Sequence, residues 1–536
     1  MRPHAYADLD ERDTLPGIIA RRSAETPDRV YLTDITAGAS LTFGQAHDRF
    51  LIWADALRRA GVAPGDRVGV MLPNSFDAVS AWLGTAWVRG YEVALNTGFR
   101  GEILKYFLTY TGISLAIVAE RFLERFAEVA AEAPALRTIV VPDASEPPPR
   151  IGNAKMLSRC EFLEGARPPT DLTAPEPHDV MAIAYTSGTT GPSKGVVLPW
   201  GMLTLGAALL DDLGPDDAFY SPFPMFHMSG KGGIAQAAYM NGRDVFRESF
   251  DTGCFWKDID EQHCTFTLLV PAMAHWLLAQ PPAPDDRRHS LRKALSSPIV
   301  PGFAERFGVN LRTHYGMTEV GNVMTRREVT DSSPSCGRPV PGYEVRLADE
   351  HDYQVPTGEV GELIVRTTEP WRICLGYWNL PDKTAEAWRN GWFHTGDAFR
   401  CDADGNYFFV DRKKDALRRR GENVSSFEIE ALVGRHAAVA ECAAIGVDTD
   451  LGEQEIKIFV VRKPGADVTP QALIEFLIST MPRYMVPRFV EFVPALPKTE
   501  ATLRVQKAKL RERPLNENTW DREAAGVPAP RSAGRR

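Results

Sequence analysis

The sequence predicts an α/β fold: a large, multi-layer N-terminal domain with mixed sheets and helices, followed by a small α+β C-terminal domain. Three observations support this prediction. The chain has 536 residues, more than one compact core usually accommodates. Strand-like and helical patterns alternate along the first part of the chain, which is typical of layered α/β structure. A change of composition and pattern near Asp411 sets off the last part.

The first elements show this alternation. Residues 42–62 (TFGQAHDRFLIWADALRRAGV) repeat apolar side chains with a period near 3.6, so they predict a helix that ends at the glycine of that segment. A buried strand is predicted within residues 66–74, an apolar helix within 77–90 and another strand at 92–96.

After Asp411 the pattern becomes that of a compact α+β unit. A strand leads through a dense basic segment into a helix, and the elements that follow are predicted as strand, strand, helix and strand, at residues 441–447, 455–463, from 470, and 488–496. Ile456, Ile458 and Val460 alternate with other residues, as expected of a half-buried strand. Thr469 can cap the helix that begins at Pro470.

These patterns predict three regions. Residues 1–411 form the N-terminal domain and residues 412–513 the C-terminal domain. Residues 514–536, rich in Ala, Pro, Gly and Arg, are predicted to be a disordered tail.

Composition narrows the class of protein. The net charge of −9 disfavours a broad nucleic-acid surface. No apolar run reaches the ~18 residues of a membrane span, and the first residues lack the apolar core of a secretory signal. Seven scattered cysteines without a C-x-x-C pair are typical of reduced thiols. We therefore expect a cytoplasmic protein, either a monomer or a homodimer.

The segment AYTSGTTGPSKGVVLPW, residues 184–200, is unusually rich in glycine and hydroxyl side chains and contains one lysine, Lys194. Backbone N–H groups, hydroxyls and a cation are the groups that phosphate oxygens accept from, and glycine lets the backbone approach them. The segment departs from the ordinary P-loop, because Ser193 precedes the lysine and Gly195 follows it. A flexible surface loop is the alternative interpretation.

Three further segments contain groups that suit a nucleotide. THYGMTE (313–319) ends in a carboxylate beside a hydroxyl, which suits Mg²⁺ next to a triphosphate. WFHTGD (392–397) ends in a carboxylate suited to a ribose diol. VDRKKD (410–415) places a guanidinium near the domain boundary. Each segment alone could equally be a structural turn.

Taken together and in this order, the segments resemble the superfamily of acyl- and aryl-CoA synthetases, nonribosomal-peptide adenylation domains and luciferases. The resemblance covers roughly residues 15–513. Its most specific motif is YTSGTTGPSKGVV, and PFPMFHMSG, YGMTE, GEVGELIVR, GYWNLPDKTAEAW, WFHTGD and DRKKDALRRRGENVSSFEIE follow in family order. The last of these, with LNTGFRGEIL (95–104), is most similar to the carnitine-CoA ligase-like branch.

The resemblance implies a two-step reaction that uses ATP, Mg²⁺ and CoA. A carboxylate attacks the α-phosphorus of ATP, and the CoA thiol then attacks the acyl-adenylate. The implied phosphate loop comprises Thr186, Ser187, Gly188, Thr189, Thr190, Gly191 and Lys194. The other implied roles are adenine and α-phosphate contacts by Tyr315, Gly316 and Thr318, Mg²⁺ binding by Glu319, ribose binding by Asp397 with Arg412, and a hinge at Lys414. The resemblance also implies that this hinge joins the two domains and that the C-terminal domain, residues 412–513, is mobile.

The segment near the C-terminus departs from the family pattern. The family carries a lysine in a P-x-T-x-T-G-K segment, whereas this chain has LPKTEATLRVQKAKLRE, residues 496–512. Aligned on VQK, the lysine position holds Arg504 and the glycine position holds Leu503. Arginine is cationic but larger and planar. Three interpretations stay open: Arg504 serves in adenylation, Lys498 or Lys507 replaces it, or adenylation is weak or lost.

The predicted acid pocket is also unusual. It comprises His227, Lys231, Ser296, Ser297 and His314, with SSPIV at 296–300 where relatives often have Gly-Gly-Ala. Lys231 is interpreted most simply as a solvated surface lysine. The alternative is that it binds a second anionic group of the substrate. The basic cluster Arg418, Arg419 and Arg420 suits either a solvated face or the phosphates of CoA.

The predicted function is therefore an ATP-dependent, AMP-forming ligase that transfers a small acyl or aryl acid to CoA. One alternative is a diazotase-type member of the superfamily that adenylates nitrite and acts on an aromatic amine. Another is a nucleotide-binding protein that has lost adenylation. The predicted partners are small molecules only: the acid, ATP and CoA.

Overall fold

The structure, a computed structural model, describes most of the chain. It covers residues 10, 12–186, 194–203, 212–297, 299–327, 334–412, 417–419, 422–424, 426–448, 454–481, 485–499, 503–513 and 515–527. Within this part, contacts separate two compact units. The first comprises residues up to 186, 194–344 and 365–393, and the second comprises 345–364 and the residues from 394 onwards.

The helices of the described residues are, in chain order, α1 (Leu15–Glu25), α2 (Phe43–Arg59), α3 (Phe76–Trp87), α4 (Gly101–Thr111), α5 (Leu123–Val129), α6 (Arg159–Leu163), α7 (Met228–Tyr239), α8 (Phe255–Glu261), α9 (Pro271–Leu278), α10 (Phe303–Phe307), α11 (Pro381–Ala387), α12 (Ser426–Val433), α13 (Pro470–Thr480) and α14 (Lys507–Arg511). Short 3₁₀ turns span Glu120–Phe122 and Ala130–Glu132.

The strands of the first part are β1 (Val30–Asp34), β2 (Ala39–Thr42), β3 (Arg67–Met71), β4 (Tyr91–Ala94), β5 (Leu115–Val118), β6 (Thr138–Val141), β7 (Lys155–Ser158), β8 (Val180–Thr186), β9 (Lys194–Pro199), β10 (Ala218–Ser221), β11 (Arg243–Phe246), β12 (Phe266–Leu269), β13 (Lys293–Ser296), β14 (Asn310–Met317), β15 (Gly321–Arg326) and β16 (Arg338–Pro339). The later strands are β17 (Tyr343–Ala348), β18 (Val360–Thr367), β19 (Gly376–Tyr377), β20 (Trp388–Arg389), β21 (Trp392–Cys401), β22 (Tyr407–Arg412), β23 (Leu417–Arg419), β24 (Glu422–Val424), β25 (Val439–Asp448), β26 (Gln454–Arg462), β27 (Phe489–Phe492) and β28 (Trp520–Asp521).

Two large sheets organise the first unit. One has the order β16-β15-β14-β13-β12-β10-β11-β1-β2, and the other has the order β19-β9-β8-β4-β3-β5-β6-β7. Their central strands pair in parallel, whereas β8–β9 and β14–β15 pair antiparallel. These two antiparallel pairs carry the predicted phosphate and metal segments. The predicted mixed α/β class is confirmed.

Local sequence explains why the predicted elements form where they do. Helix α2 begins behind Thr42, whose side chain accepts from the backbone N–H of Gln45, while the Gln45 side chain accepts from the Thr42 backbone N–H. This capping box satisfies two backbone donors that a helix end otherwise leaves unpaired. Apolar side chains on one face of α2, including Phe43, Phe50 and Leu57, are buried.

The sheet β25-β26-β27-β28 forms the centre of the second unit. Ile456, Ile458 and Val460 of β26 pack into one apolar cluster, as the alternating pattern predicts. The opposite face is covered as well, because Phe459 lies in a second cluster with Leu510 and neighbouring side chains. Strand β26 is therefore buried on both faces, whereas the alternating pattern predicted a strand buried on one face.

The predicted disordered tail does not fit residues 515–527. Strand β28 pairs with β27, and Arg488 forms an ion pair with Asp521 at 2.9 Å. The Arg522 side chain is 2% exposed and donates to the backbone oxygens of Pro487 and Val527. Composition indicated disorder here, but paired backbone and two arginine contacts hold the segment on the sheet.

Two further expectations concern the chain as a whole. Among the helices that the structure describes, none is long and apolar enough to cross a membrane. None of the seven cysteines, all of which lie in described segments, forms a disulfide. The contact-based units assign residues 394–411 to the second unit, so a mobile boundary at 411/412 stays a prediction.

Candidate functional site

An antiparallel hairpin carries the predicted phosphate loop. Strands β8 and β9 pair so that Thr186 lies opposite Lys194, which brings the two ends of the loop together. Ser187, Gly188, Thr189, Thr190 and Gly191 lie outside the described residues, and of Thr186 only the backbone is described.

The predicted phosphate-binding cation lies against an aromatic ring. The Nζ of Lys194 is 4.2 Å from the ring centroid of Tyr377, a cation–π distance. Tyr377 belongs to β19, which pairs antiparallel with β9, so the two residues come from neighbouring strands of one sheet. The lysine therefore has a defined resting position at the end of the loop.

The predicted metal ligand lies in the turn between β14 and β15, next to Thr318. Glu319 is 5% exposed, and its Oε1 accepts from the hydroxyl of Tyr377 at 3.2 Å. The Cys374 backbone N–H donates to the Glu319 backbone oxygen at 2.9 Å, which holds the turn. A buried carboxylate that contacts the same tyrosine as the predicted phosphate-binding lysine suits Mg²⁺, since this ion is held by one or two carboxylates together with substrate phosphates.

Tyr315 and Gly316 lie on β14 at a register shift opposite β15. Gly316 is exposed, and a side chain there would collide with the backbone oxygen of Gly321. Only glycine therefore fits this position, because the backbone of the neighbouring strand β15 fills the space that a side chain would need. Tyr315, whose ring is half-buried, precedes it on the same strand.

Two pocket histidines are neutral. Burial lowers the pKa of His227 and of His314 to about 4. The backbone N–H of Ser229 donates to Nδ1 of His227 at 3.2 Å, so the neutral ring carries its proton on Nε2. Nδ1 of His314 is buried and has no hydrogen-bond partner in the described residues. Both rings therefore supply uncharged aromatic surface near neutral pH, consistent with a pocket role.

The simplest interpretation of Lys231 as a solvated surface residue is wrong. Its side chain is 1% exposed, and Nζ donates to Oε1 of Glu92, itself 3% exposed, at 2.9 Å. The ammonium also lies 4.4 Å from the ring centroid of Trp82. Burial lowers the pKa of Lys231 and raises that of Glu92, and their mutual attraction opposes both shifts. The charge of Lys231 is thus compensated inside the protein.

The other predicted pocket residues end a strand. Ser296 is the last residue of β13 and is 2% exposed, and Ser297 follows it in a bend, half-buried. Ser296, His314 and Tyr315 thus belong to the paired strands β13 and β14.

The second unit carries the predicted ribose ligand. Asp397 is 5% exposed, lies opposite Arg412 on the paired strands β21 and β22, and has its Oδ1 3.4 Å from Nε of Arg412. Glu362 accepts from the backbone N–H of Gly396 at 3.0 Å and contacts the His394 ring at 3.2 Å. Glu362 therefore fixes the turn that presents Asp397.

A buried carboxylate organises the segment after Arg412. Oδ2 of Asp411 accepts from the backbone N–H and the hydroxyl of Ser426, the first residue of α12, at 2.6 and 2.8 Å. Lys414 and Arg420 lie outside the described residues. Of Arg418 and Arg419 only the strand backbone is described, in the hairpin β23–β24.

Comparison with known proteins decides whether the resemblance of the motifs reflects membership of the family. The family model for AMP-binding enzymes matches residues 19–378, and the model for the AMP-binding enzyme C-terminal domain matches residues 428–502. The chain is an AMP-binding enzyme. The resemblance inferred from the motifs is thereby confirmed.

Sequence relatives agree. The crotonobetaine/carnitine–CoA ligase of Shigella sonnei (strain Ss046) is 31% identical over 453 residues, which cover 82% of this chain and 87% of the relative. The enzyme of the same description from Proteus mirabilis (strain HI4320) is 31% identical over 462 residues, which cover 83% and 88%.

Solved structures agree as well. The anthranilate–CoA ligase AuaEII in complex with anthranoyl-AMP superposes with a TM-score of 0.84 at 27% identity, covering 95% of this chain and 98% of that one. ATP-bound MatB from Rhodopseudomonas palustris gives a TM-score of 0.83 at 26% identity, covering 93% and 99%.

Within this family, the C-terminal lysine segment is the main departure, and the structure informs its alignment. Leu503 has a φ of +53°, a left-handed conformation that is uncommon for a branched side chain and natural for glycine. This is the position at which the family motif has its glycine. The backbone geometry therefore supports the alignment that places Arg504 at the lysine position.

The two competing lysines are engaged within the second unit. Lys498 forms an ion pair with Glu441 at 2.6 Å. Lys507 contacts Glu430 at 2.7 Å and the hydroxyl of Ser426 at 2.5 Å. Arg504 is exposed.

Sequence reasoning missed three residues that organise the site: Tyr377, Glu92 and Glu362. Tyr377 and Glu362 belong to the family motifs GYWN and GELIVR. The sequence therefore shows these motifs but not the contacts that the two side chains make. Glu92 had one signal, since a carboxylate interrupts an otherwise apolar strand, YEVA. A charge at such a position predicts a buried partner.

Proposed function

We propose that this chain is an ATP-dependent, AMP-forming ligase that joins a small organic acid to CoA. The observation that carries the proposal is the arrangement of Lys194, Tyr377 and Glu319, which places a loop cation and a buried carboxylate on one tyrosine. A triphosphate with its metal ion needs both kinds of group. Membership of the AMP-binding family and the CoA ligases among the relatives support the same conclusion.

The proposed chemistry has two steps. In the first, a carboxylate oxygen of the acid bonds to the α-phosphorus of ATP, and the bond from that phosphorus to pyrophosphate breaks. In the second, the CoA sulfur bonds to the acyl carbon and AMP leaves. Lys194 would neutralise the departing pyrophosphate, and Thr318 would donate to the α-phosphate. Glu319 would hold Mg²⁺, which supplies further positive charge to the phosphates when bound.

The nucleoside would be held by groups whose chemistry matches it. Asp397 is a buried carboxylate that would accept from two ribose hydroxyls, and the Arg412 guanidinium lies beside it. The ring of Tyr315 would stack on adenine, beside Gly316.

Arg504 would act in the first step in place of the family lysine. Its planar guanidinium can donate to a substrate carboxylate and to the α-phosphate at once. The left-handed backbone at Leu503 supports this choice, because it matches the glycine position of the family motif. We propose that Lys414 serves as the hinge between the two steps, and that Arg418, Arg419 and Arg420 receive the phosphates of CoA.

The acid is proposed to be a monocarboxylate. His227 and His314 are neutral, and Glu92 compensates the charge of Lys231. None of these pocket groups thus offers an uncompensated cation to a second carboxylate. The reaction is proposed to take place in the cytoplasm, where ATP and CoA are supplied.

Acid-dependent exchange of labelled pyrophosphate into ATP, without CoA, tests the proposal. The panel includes benzoate, anthranilate and crotonobetaine, matched with the dicarboxylates malonate and succinate. We expect exchange with at least one monocarboxylate, weaker exchange with the dicarboxylates, and CoA-dependent AMP release with the best acid. ATP binding without exchange for any acid, or AMP release only with nitrite and an aminobenzoate, would contradict the proposal.

A further inference from the structure

Tyr377 contacts both of the residues that the proposed function assigns to the phosphates and the metal. Its ring face lies 4.2 Å from Nζ of Lys194, and its hydroxyl donates to Glu319 at 3.2 Å. We propose that Tyr377 is a positioning residue that holds this cation and this carboxylate in register and thereby sets the Mg²⁺ dependence of ATP binding. The inference rests on the proposed function, because that function gives Lys194 and Glu319 their ligands.

The tyrosine is itself held firmly. Its backbone N–H donates to the Thr384 hydroxyl at 2.9 Å, and its neighbour Trp378 donates to the backbone oxygen of Gly195 at 2.8 Å. Pairing of β19 with β9 places Tyr377 opposite Val196, two residues after Lys194. The ring therefore lies against the end of the phosphate hairpin, and its hydroxyl links that hairpin to the side chain of Glu319.

The hydroxyl acts as the donor in this contact, with Oε1 of Glu319 as the acceptor. A hydroxyl that donates to one carboxylate oxygen helps to orient the Glu319 side chain. Without this hydrogen bond the carboxylate would be less firmly oriented, and the entropic cost of ordering it when Mg²⁺ binds would appear as weaker metal affinity.

The ring has a separate role. An ammonium that rests on an aromatic face has its position fixed by that face and keeps its three N–H donors, while the charge of Glu386 acts on it as well. Removing the ring should therefore affect ATP binding even when Mg²⁺ is saturating. The two halves of the side chain predict two distinguishable phenotypes.

The test separates them with two substitutions. Tyr377→Phe keeps the ring and removes the hydroxyl. We expect the Mg²⁺ concentration for half-maximal ATP binding to rise roughly fivefold, the usual effect of one hydrogen bond, with ATP affinity at saturating Mg²⁺ within about twofold of wild type. Tyr377→Leu removes both contacts and should also weaken ATP binding at saturating Mg²⁺, by roughly tenfold.

Binding is measured by calorimetry with ATP and no acid, over a Mg²⁺ series. Tyr220→Phe is the matched control, because its buried hydroxyl also donates to a carboxylate, that of Asp258, at 2.9 Å. It should leave the Mg²⁺ dependence unchanged. The same Mg²⁺ dependence in wild type and Tyr377→Phe, with both proteins folded by circular dichroism, would overturn the inference. Failure of the wild-type protein to bind ATP with Mg²⁺ at all would instead overturn the proposed function.

Discussion

Replacing Lys231 by methionine tests whether its buried ion pair is a structural unit. The substitution keeps an unbranched side chain but leaves Glu92 buried, 3% exposed, with no ammonium beside it. Oε2 of Glu92 already lacks a hydrogen-bond partner among the described residues, so the carboxylate would then be without a side-chain partner there. Removing one partner of a buried pair typically costs about 3–5 kcal/mol of stability. Loss of the contact with Trp82 adds to that cost.

The loss of stability caused by Lys231→Met should depend on pH, and the direction of this dependence follows from the pKa of Glu92. Burial already raises the pKa of Glu92, and removal of Lys231 raises it further. In the variant, the folded chain then binds a proton that the unfolded chain releases above pH ~4.3. Stability of Lys231→Met relative to wild type should therefore be lowest at alkaline pH and should recover as the pH falls towards that value.

The assay is urea denaturation followed by tryptophan fluorescence, with the double variant Lys231→Met/Glu92→Leu completing a cycle. The double variant should regain most of the lost stability, since an apolar pair of similar volume replaces the ion pair. Lys383→Met is the matched control: it breaks an exposed pair with Glu386 at 2.6 Å and should leave the midpoint unchanged. If the urea midpoint of Lys231→Met equals that of the wild type, the reasoning is refuted.

Two further predictions concern stability and chemistry. Asp244 is fully buried beside the Ser221 hydroxyl, and burial raises its pKa to about 7. The free energy of unfolding should therefore fall by roughly a few kcal/mol as the pH rises from ~4 to ~7. Asp244→Asn should flatten the dependence of the urea midpoint on pH. An unchanged dependence would contradict the assignment. Arg504→Ala should slow adenylation roughly 10²–10³-fold and leave thioester formation from supplied acyl-adenylate nearly unaffected. Normal adenylation in Arg504→Ala with a loss in Lys507→Ala would mean that the lysine enters the site.

Much of the fold could be predicted because its signals are local. Helix α2 follows from apolar spacing and a capping box, which lie within one segment. Strand β26 follows from alternation, although its second covered face depends on Leu510, far along the chain. The predicted tail shows the limit of composition, because Arg522 and its contacts outweigh the disorder-promoting residues around it.

The sequence motifs of the site could be predicted, but the contacts between its side chains could not. Glu319 and Asp397 are recognisable from their neighbours in sequence. The partner of Lys231 cannot be recognised in this way, because Glu92 lies 139 positions away. Lys231 on α7 and Glu92 on β4 meet only in the folded chain. Tyr377 and Glu319 are likewise 58 positions apart. The conformation of Leu503 is invisible in sequence, since leucine normally avoids positive φ.

The most direct measurement of the central claim is oxygen transfer from the acid to AMP. The acid with the fastest pyrophosphate exchange is labelled with ¹⁸O in its carboxyl group. After a complete reaction with ATP and CoA, mass spectrometry measures the ¹⁸O content of each product. Attack of a carboxylate oxygen on the α-phosphorus predicts one ¹⁸O in AMP, one retained in the thioester and none in pyrophosphate. Unlabelled AMP, or ADP with ¹⁸O in inorganic phosphate, would contradict an acyl-adenylate intermediate.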